Sequence, residues 1–276
     1  MDKYCVMGNP VEHSKSPWIH ARFARLTGQE LDYGKRLIAP GGLAPALEAF
    51  RSEGGKGCNI TVPFKFEAAP LATTLTPRAR LAQACNTLRF DGDRQVFADN
   101  TDGIGLVSDI QNNAGVALAG RDLLLIGAGG AAAGVLGPLL ETRPRSIAVA
   151  NRTLEKAASL VERHASLAQA RGVTLCAWSL EMVPGAFDVV INATASSLSG
   201  AAVPVAATVL KPGALACDMM YGPAADGFTA WAHSHGAVPR DGLGMLVEQA
   251  AEAFLVFRGV RPPSAQVLAD LRAGLR

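Results

Sequence analysis

A short apolar run that ends in a glycine-rich turn is the feature of this sequence that most restricts the fold. Residues 123–126 read Leu-Leu-Leu-Ile, and Gly127, Gly129 and Ala132 after them match the pattern G-x-G-x-x-A. Between a strand and a helix, the first glycine permits a tight turn, the second lets the backbone approach a pyrophosphate, and the small third residue allows close packing. The helix N-terminus also favours an anion. The turn predicts a dinucleotide-binding loop, the alternative being a glycine-rich turn without a ligand; its residues are Gly127, Ala128, Gly129, Gly130 and Ala131.

The residues after the next strand indicate which dinucleotide binds. A loop that binds NAD usually places Asp or Glu there, to accept hydrogen bonds from the ribose 2′-hydroxyl. Here the strand at 146–150 is followed by Asn-Arg-Thr. Arg152 can bind a 2′-phosphate through two hydrogen bonds, Asn151 and Thr153 can donate to it, and Lys156 lies one helical turn after Arg152. We therefore predict NADP as the cofactor; a solvated, charged start of a helix is the alternative.

Strand-like and helix-like segments alternate along most of the chain. Strands are expected near 4–7, 33–38 and 58–62 with helices between them, and Asp91-Gly92-Asp93 is a hairpin signal. This alternation predicts a mainly parallel sheet covered by helices, and a second such unit begins near residue 122. The segments 243–257 and 265–275 are predicted to be helical. We predict an α/β protein of two α/β lobes: an N-terminal substrate domain (1–103), a Rossmann-like NADP-binding domain (104–241), and C-terminal helices (242–276) that return to the first lobe.

Composition excludes several classes of function. The net charge of +2 comes from scattered Lys, Arg, Asp and Glu, so nucleic acid is not an expected partner. No run approaches the roughly 18 apolar residues of a membrane span. The five cysteines are far apart and form no C-x-x-C pair, which argues against a zinc site or a disulfide scaffold. We expect a cytoplasmic enzyme without a metal, as a monomer or homodimer, acting on a small molecule.

A lysine and an aspartate in the first lobe are candidates for acid-base chemistry. Lys65 stands where a helix should begin after Pro63, and a cation is unfavourable there. We therefore interpret Lys65 as a general base rather than a surface residue. Asp102, in a polar run at the end of a strand, could pair with Lys65 and orient it, and Asn86 adds a polar group at another strand end. A solvated lysine and an aspartate that only caps a helix are the alternatives.

Further polar pairs lie near the starts of helices and the ends of strands. Asn59 and Thr61 are two residues apart on a strand, so they should point to one face. Ser16 precedes Pro17 and suits a helix N-cap. If residues 14–16 are extended, Ser14 and Ser16 share one face. Two hydroxyls at the positive end of a helix suit a carboxylate, although a simple cap would give the same sequence.

Many short motifs, in order along nearly the whole chain, resemble the shikimate dehydrogenases. They are SKSP at 14–17, NITVPFK at 59–65, CNT at 85–87, DNTDG at 99–103, GAGGAA at 127–132, NRT at 151–153, NAT at 192–194, DMMY at 218–221 and GMLVEQA at 244–250. The resemblance implies reversible, NADP-dependent reduction of 3-dehydroshikimate to shikimate, in aromatic amino-acid biosynthesis, with Lys65 and Asp102 as the acid-base pair.

The resemblance also implies the residues of both binding sites. It implies a shikimate site lined by Ser14, Ser16, Asn59, Thr61, Lys65, Asn86, Asp102, Tyr221 and Gln249. Gln249 also stands out as a lone amide at the edge of an apolar helix face, where a surface glutamine is the alternative. For NADP, the resemblance adds three contacts to those of the two loops: Thr194, Met219 and Gly242.

The sequence departs from the family pattern at three positions. Phe66 follows Lys65 where an acidic residue is frequent, Gly222 follows Tyr221 where Asn is expected, and Lys156 stands where many relatives have Arg. A lysine cannot form the bidentate hydrogen bonds by which an arginine binds a phosphate. Two alternatives stay open: a quinate/shikimate dehydrogenase of broader substrate or NAD specificity, and a non-catalytic relative that binds a metabolite for regulation.

Overall fold

The computed structural model describes residues 1–92, 94–194 and 203–274. The chain divides into two compact units, the first formed by Met1–Leu106 and Leu246–Arg276 and the second by Val107–Met245. The C-terminal helices thus belong to the first unit, and the predicted α/β fold of two lobes is confirmed. Asp93 of the predicted hairpin turn and residues 275 and 276 lie outside the described residues. Within the described part, no helix combines the length and the apolar character needed to cross a membrane.

The first unit contains a six-stranded sheet. Its strands are β1 (Asp2–Gly8), β2 (Leu31–Leu37), β3 (Gly55–Ile60), β4 (Thr74–Leu75), β5 (Thr87–Asp91) and β6 (Gln95–Asp99), in the order β2-β1-β3-β5-β6-β4. β1 pairs in parallel with β2 and β3, with Tyr4 opposite Tyr33, whereas β5 runs antiparallel to both β3 and β6. The sheet is therefore mixed, because the short connection between β5 and β6 permits only antiparallel pairing.

Helices and short turns of helix connect these strands. They are α1 (Ser16–Thr27), α2 (Leu43–Ser52), α3 (Lys65–Ala68), a 3₁₀ turn (Ala69–Leu71), α4 (Pro77–Ala82) and α5 (Asp102–Ser108), which leads into a π-helical turn (Asp109–Asn113). On one side of the sheet, buried residues of α2 and α3 join side chains of β1 and β3 in one core. Both α3 and α5 begin just after the end of a strand, so their first residues meet at one edge of the sheet.

The second unit contains a six-stranded, wholly parallel sheet. Its strands are β7 (Asp122–Ile126), β8 (Ser146–Asn151), β9 (Thr174–Ser179), β10 (Phe187–Asn192), β11 (Leu210–Asp218) and β12 (Val238–Arg240), in the order β12-β11-β10-β7-β8-β9. The described helices between them are α6 (Gly130–Glu141), α7 (Leu154–Arg171), α8 (Asp226–Ser234) and 3₁₀ turns at Leu180–Met182, Ala207–Val209 and Gly222–Ala225. The strand order changes direction between β7 and β10, which is where ligands bind at the carboxyl ends of such sheets.

The chain ends with α9 (Leu243–Arg258) and α10 (Ser264–Gly274). Ala253 and Phe257 of α9 pack in one core with Tyr4 and Tyr33 of the first sheet. Arg22 of α1 forms an ion pair with Asp270 of α10, 2.7 Å apart. Helix α9 therefore contributes to the core of the first unit, and an ion pair joins α10 to α1.

Candidate active site

Lys65 and Asp102 meet at the starts of α3 and α5. The ammonium nitrogen of Lys65 lies 2.5 Å from Oδ2 of Asp102, and the two side chains are 13% and 5% exposed. The other carboxylate oxygen, Oδ1, accepts a hydrogen bond of 2.8 Å from the amide of Asn86. Both oxygens of Asp102 are thus engaged, which fixes the carboxylate and, through it, the lysine. The pairing predicted from sequence is present, and both side chains are largely shielded from solvent.

Asn86 connects this pair to the C-terminal helix α9. Its side-chain oxygen accepts a hydrogen bond of 2.9 Å from the backbone of Thr101. Its amide group lies 3.0 Å from Oγ1 of Thr101 and 3.3 Å from Oε1 of Gln249. Thr101 belongs to the polar run at 99–102 noted in the sequence, but its bond to Asn86 depends on its position in space. Asn86, Asp102 and Gln249 therefore form one polar network in the first unit.

Gln249 reaches this network because α5 and α9 approach closely at Gly105. A Cβ atom placed on Gly105 would lie 2.6 Å from the backbone nitrogen of Gln249, closer than real contacts allow. The side-chain amide of Gln249 also donates to the carbonyl of Leu246, 3.0 Å away. The side-chain oxygen is therefore the group of Gln249 that faces the network.

The two serines differ from the prediction in their backbone conformation. α1 begins at Ser16 rather than after it, and Lys15 is the N-cap residue, with helical dihedral angles of φ −88° and ψ −4°. The prediction of an extended segment with Ser16 as the N-cap was wrong, since the turn is already helical at Lys15. Instead, Oγ of Ser14 accepts a hydrogen bond of 3.3 Å from the backbone of Ser16. The hydroxyl hydrogen of Ser14 is not used in that bond.

Asn59 and Thr61 lie at the end of β3. The amide group of Asn59 donates to the carbonyl of Asn86 and to Oγ1 of Thr87, both 3.0 Å away. Its side-chain oxygen accepts a hydrogen bond of 2.6 Å from Tyr33. Thr61 is half-buried, and its backbone donates to the carbonyl of Met7, 2.9 Å away. Tyr33 and Thr87 had no signal in the sequence that would mark them as partners of a site.

The predicted dinucleotide loop follows β7 in the second unit. Gly127 has φ +113°, and a Cβ atom there would lie 3.2 Å from the carbonyl of Ala193 and from Cγ2 of Thr194. Gly129 is the N-cap of α6, with the extended angles φ −86° and ψ −171°. A Cβ atom on Gly129 would meet nothing within 4 Å. The space over the N-terminus of α6 is thus open where a pyrophosphate is predicted.

The loop between β8 and α7 presents its polar side chains to solvent. Arg152, Thr153 and Lys156 are exposed, while the amide of Asn151 donates to the carbonyl of Thr153, 2.8 Å away, and so shapes the turn. Among the residues that the structure describes, neither Arg152 nor Lys156 has an ion-pair partner within 4.0 Å. Both cations are available to an anionic ligand.

The remaining predicted cofactor residues lie at the ends of β10, β11 and β12. Thr194 donates from Oγ1 to Oδ1 of Asn192, 2.7 Å away, and the backbone of Met219 donates to the carbonyl of Asn192, 3.0 Å away. A Cβ atom on Gly242 would lie 2.3 Å from the carbonyl oxygen of Met219. Asn192 also donates to Asp218, 3.1 Å away, and both side chains are buried. The hydrogen bond between Asn192 and Asp218 stabilises the carboxyl ends of β10 and β11. The sequence analysis did not assign a role to either residue.

Tyr221 belongs to the second unit, whereas the other predicted substrate residues belong to the first. It is half-buried and immediately precedes the 3₁₀ turn Gly222–Ala225. Gly222 has φ +64°, a left-handed conformation that suits glycine or asparagine, and asparagine is the residue expected there from the family pattern. Glycine in place of the expected asparagine at position 222 is therefore compatible with the left-handed backbone conformation there.

Comparisons with known proteins cover both units. Three family models match: "Shikimate dehydrogenase substrate binding domain" at residues 6–88, "Shikimate / quinate 5-dehydrogenase" at 109–202 and "Shikimate 5'-dehydrogenase C-terminal domain" at 242–272. The chain is 66% identical to a shikimate dehydrogenase (NADP(+)) of Acidovorax sp. (strain JS42), over 99% of this chain and 97% of the relative.

Two solved structures are similar over nearly their whole length. An Ael1 enzyme from Pseudomonas putida is 43% identical, with a TM-score of 0.87 and 98% of each chain covered. The shikimate 5-dehydrogenase from Thermus thermophilus, solved in complex with NADP(H) and shikimate, is 28% identical, with a TM-score of 0.84 and 99% of each chain covered.

Proposed function

Because the chain belongs to the shikimate dehydrogenase family, we propose that it is an NADP-dependent shikimate dehydrogenase, which reversibly reduces 3-dehydroshikimate to shikimate in aromatic amino-acid biosynthesis. The observation that carries this proposal is the ion pair of half-buried Lys65 with buried Asp102, 2.5 Å apart, in a chain that also has a glycine-rich turn between β7 and α6. The first unit is the substrate and catalytic domain, and the second is the NADP-binding domain. The enzyme works in the cytoplasm as a monomer or homodimer.

Lys65 is the proton donor for reduction. When bound, NADPH would supply the hydride for the carbonyl carbon of 3-dehydroshikimate, whose oxygen would then take up negative charge. The ammonium of Lys65 gives that oxygen a proton, which yields shikimate and leaves Lys65 as the neutral amine. Asp102 holds the ammonium in position and stabilises its charge before transfer. In the reverse direction, the neutral amine of Lys65 takes the proton of the hydroxyl as the hydride leaves.

Polar groups around the pair bind the rest of the substrate. Ser14 and Ser16, at the N-terminus of α1, bind the carboxylate, because that helix end favours a negative charge. The hydroxyls of the ring are bound by the side chains of Asn59, Thr61, Asn86, Tyr221 and Gln249. The carboxylate of the substrate and its reacting carbon are thus held by different residues.

The second unit binds NADP through groups along the carboxyl edge of its sheet. The loop 127–131 approaches the pyrophosphate, with the N-terminus of α6 behind it. Arg152, with Asn151, Thr153 and Lys156, binds the 2′-phosphate, and the exposure of these side chains supports that role. Thr194, Met219 and Gly242 contact the remainder of the cofactor.

A panel of substrates and cofactors tests the proposal. Shikimate and quinate are each offered with NADP and with NAD, and turnover is followed by the absorbance of the reduced nicotinamide. We expect the highest kcat/KM for shikimate with NADP. A higher kcat/KM for quinate would favour the broader quinate/shikimate enzyme. Binding of shikimate without any turnover would instead favour a regulatory relative.

Lys65→Ala tests the role of the acid-base pair. We expect kcat to fall by about 10²–10⁴-fold, the usual contribution of a general acid or base, with little change in the Kd of NADP. Lys56→Ala is the matched control, because Lys56 is an exposed lysine of the same unit. A kcat for Lys65→Ala within about threefold of the unchanged enzyme would contradict a catalytic role, since even the weakest such catalysis is larger.

A further inference from the structure

Arg78 is a partly buried arginine of α4, with no part in the function described so far. Its side chain is 26% exposed and forms ion pairs with two carboxylates, those of Asp99 and Glu252. Asp99 ends β6, shortly before Asp102, whereas Glu252 lies in α9, one turn after Gln249. Arg78 therefore joins the segment that carries the aspartate of the acid-base pair to the helix that carries Gln249.

The pairing with Asp99 fixes the guanidinium of Arg78. Nε of Arg78 donates to Oδ1 of Asp99, 2.8 Å away, and Nη2 donates to Oδ2, 2.5 Å away. Two parallel bonds of this kind set the orientation of the guanidinium as well as its distance. Asp99 is 1% exposed, so removal of the arginine would leave a buried charge unpaired. The guanidinium is thus a fixed point beside the end of β6.

Asp99 also organises the segment that leads to Asp102. Its Oδ1 accepts a hydrogen bond of 2.7 Å from the backbone of Asn100. The side-chain oxygen of Asn100 in turn accepts from the backbone of Asp102, 3.2 Å away, and its amide group donates to the carbonyl of Ala84, 2.9 Å away. Arg78 is therefore attached to the part of the chain that sets the position of the acid-base pair.

The second carboxylate belongs to α9. Nη2 of Arg78 donates to Oε1 of Glu252, 2.8 Å away, and Oε2 of Glu252 pairs with Arg261. Glu252 is 9% exposed, whereas the side chain of Arg261 is 55% exposed. Residues three apart on a helix are neighbours on its surface, so Glu252 and Gln249 lie side by side. A shift of α9 at Glu252 would therefore also shift Gln249.

The ion pair acts together with the close approach of α9 to α5. At Gly105, the space for a side chain is already filled by the backbone of Gln249, so α9 cannot come nearer to α5 there. The pair of Arg78 with Glu252, one turn later, opposes movement of α9 away from the end of β6. These two contacts limit the position of the helix in opposite directions, and Gln249 lies between them.

We propose that Arg78 and Glu252 are positioning residues for the substrate: their ion pair holds α9 where Gln249 reaches both the network of Asn86 and a hydroxyl of the ligand. This inference rests on the proposed function, in which Gln249 binds the ring of the substrate. Arg78 and Glu252 act through Gln249, and the proton transfer itself stays with Lys65. Their loss should therefore weaken substrate binding and leave the chemical step intact.

Two substitutions of Glu252 test the proposal. Glu252→Met removes both carboxylate oxygens, whereas Glu252→Asp keeps the charge beside the two arginines, which spares folding, but shortens the side chain by one methylene group. Because Asp99 holds Arg78 in place, the arginine cannot follow the shorter side chain, so either the bond is lost or α9 moves. We expect both variants to raise the KM for shikimate by about three- to tenfold, the effect of one lost hydrogen bond, with kcat and the KM for NADP little changed.

Arg261→Met is the matched control. It removes the other, exposed arginine of Glu252 and leaves the bond to Arg78 in place, so all three constants should stay unchanged. A general loss of folded enzyme would lower the apparent kcat without changing the KM, and the KM therefore separates positioning from stability. An unchanged KM for shikimate in Glu252→Asp, or an equal rise in Arg261→Met, would overturn the proposal.

A double-mutant cycle shows whether Glu252 acts through Gln249. If it does, adding Glu252→Met to Gln249→Ala should raise the KM for shikimate little further, whereas independent roles would multiply the two effects. Multiplied effects would overturn the proposed positioning. Failure of the proposed function would be recognised separately, because the unchanged enzyme would then not oxidise shikimate with NADP at all.

Discussion

Gly127 and Gly129 stand two residues apart in one turn and meet different physical demands. Gly127 has a positive φ of +113° and little free space around it, so the fold itself requires a glycine there. Gly129 has an extended conformation that any residue can adopt, and a Cβ atom on it would meet no other atom of the described protein within 4 Å. The fold therefore does not require glycine at position 129, whereas the proposed contact with a pyrophosphate does.

Gly129→Ser tests whether glycine at position 129 is needed for folding or for binding the cofactor. Serine is at least as good an N-cap as glycine, so α6 should keep its stability and Tm should not fall. The added side chain would occupy the space of the pyrophosphate, and we expect the Kd of NADP to rise at least about tenfold, measured by titration calorimetry. Gly127→Ser, the paired variant, should lower Tm because serine is strained at this φ. An unchanged Kd for Gly129→Ser would show that the pyrophosphate lies elsewhere.

At the level of elements, the approach of α5 to α9 sets the position of Gln249. The two helices are far apart in the sequence, and their contact depends on a residue without a side chain at Gly105. Any larger residue must push α9 away or distort α5. Since Gln249 reaches Asn86 across this contact, the geometry of the site depends on the packing of two helices.

Gly105→Ala is expected to disturb the site through this contact. Overpacking should reduce the free energy of unfolding by about 1–3 kcal/mol, and the displaced Gln249 should raise the KM for shikimate several-fold. Gly227→Ala is the control, because Gly227 lies in α8 with nothing within 4 Å of its added Cβ atom, and alanine favours a helix. Urea unfolding and steady-state kinetics measure the two effects. A Gly105→Ala enzyme with an unchanged KM would show that Gln249 does not need this approach.

The elements of this fold were more predictable from sequence than the contacts between them. The glycine loop after β7 has a local pattern, and the pairing of Lys65 with Asp102 followed from their complementary chemistry. The N-cap at Ser16 was predicted wrongly, because the chain becomes helical one residue earlier, at Lys15. Tyr33 gave no local signal, and Thr101 was noted only as part of the polar run at 99–102, because the hydrogen-bond partners of both lie far away in the sequence.

For the molecule as a whole, two buried histidines make stability depend on pH. Burial lowers the pKa of His20, in the first unit, to about 3, and that of His164, in the second unit, to about 4. In the unfolded chain, a histidine has a pKa near 6.5 and therefore gains a proton more readily than in the folded protein. The stability that they contribute is complete above about pH 6.5 and is lost as the pH falls toward these folded values.

Unfolding measured by urea at about pH 7.5 and about pH 5.5 checks this dependence. Each histidine should reduce the free energy of unfolding of its own unit by about 1.4 kcal/mol at the lower pH. His20 stacks on Tyr33 with ring centres 4.2 Å apart, so His20→Phe puts an aromatic ring that cannot titrate in its place and should remove that loss from the first unit alone. His233→Gln changes an exposed histidine and should leave the loss in place. An equal loss in His20→Phe and the unchanged protein would show that His20 does not cause it.

The division of the chain between the two units has a consequence for its synthesis. The second unit is one continuous stretch, Val107–Met245, whereas the first needs both Met1–Leu106 and Leu246–Arg276. On the ribosome, the second unit can therefore fold as soon as its last strand has emerged. The first unit must wait with the face of its sheet around Tyr4 and Tyr33 uncovered until α9 has been translated. Synthesis of the first unit thus starts before that of the second but is completed after it. We expect chaperones to bind the exposed sheet of the first unit in the nascent chain.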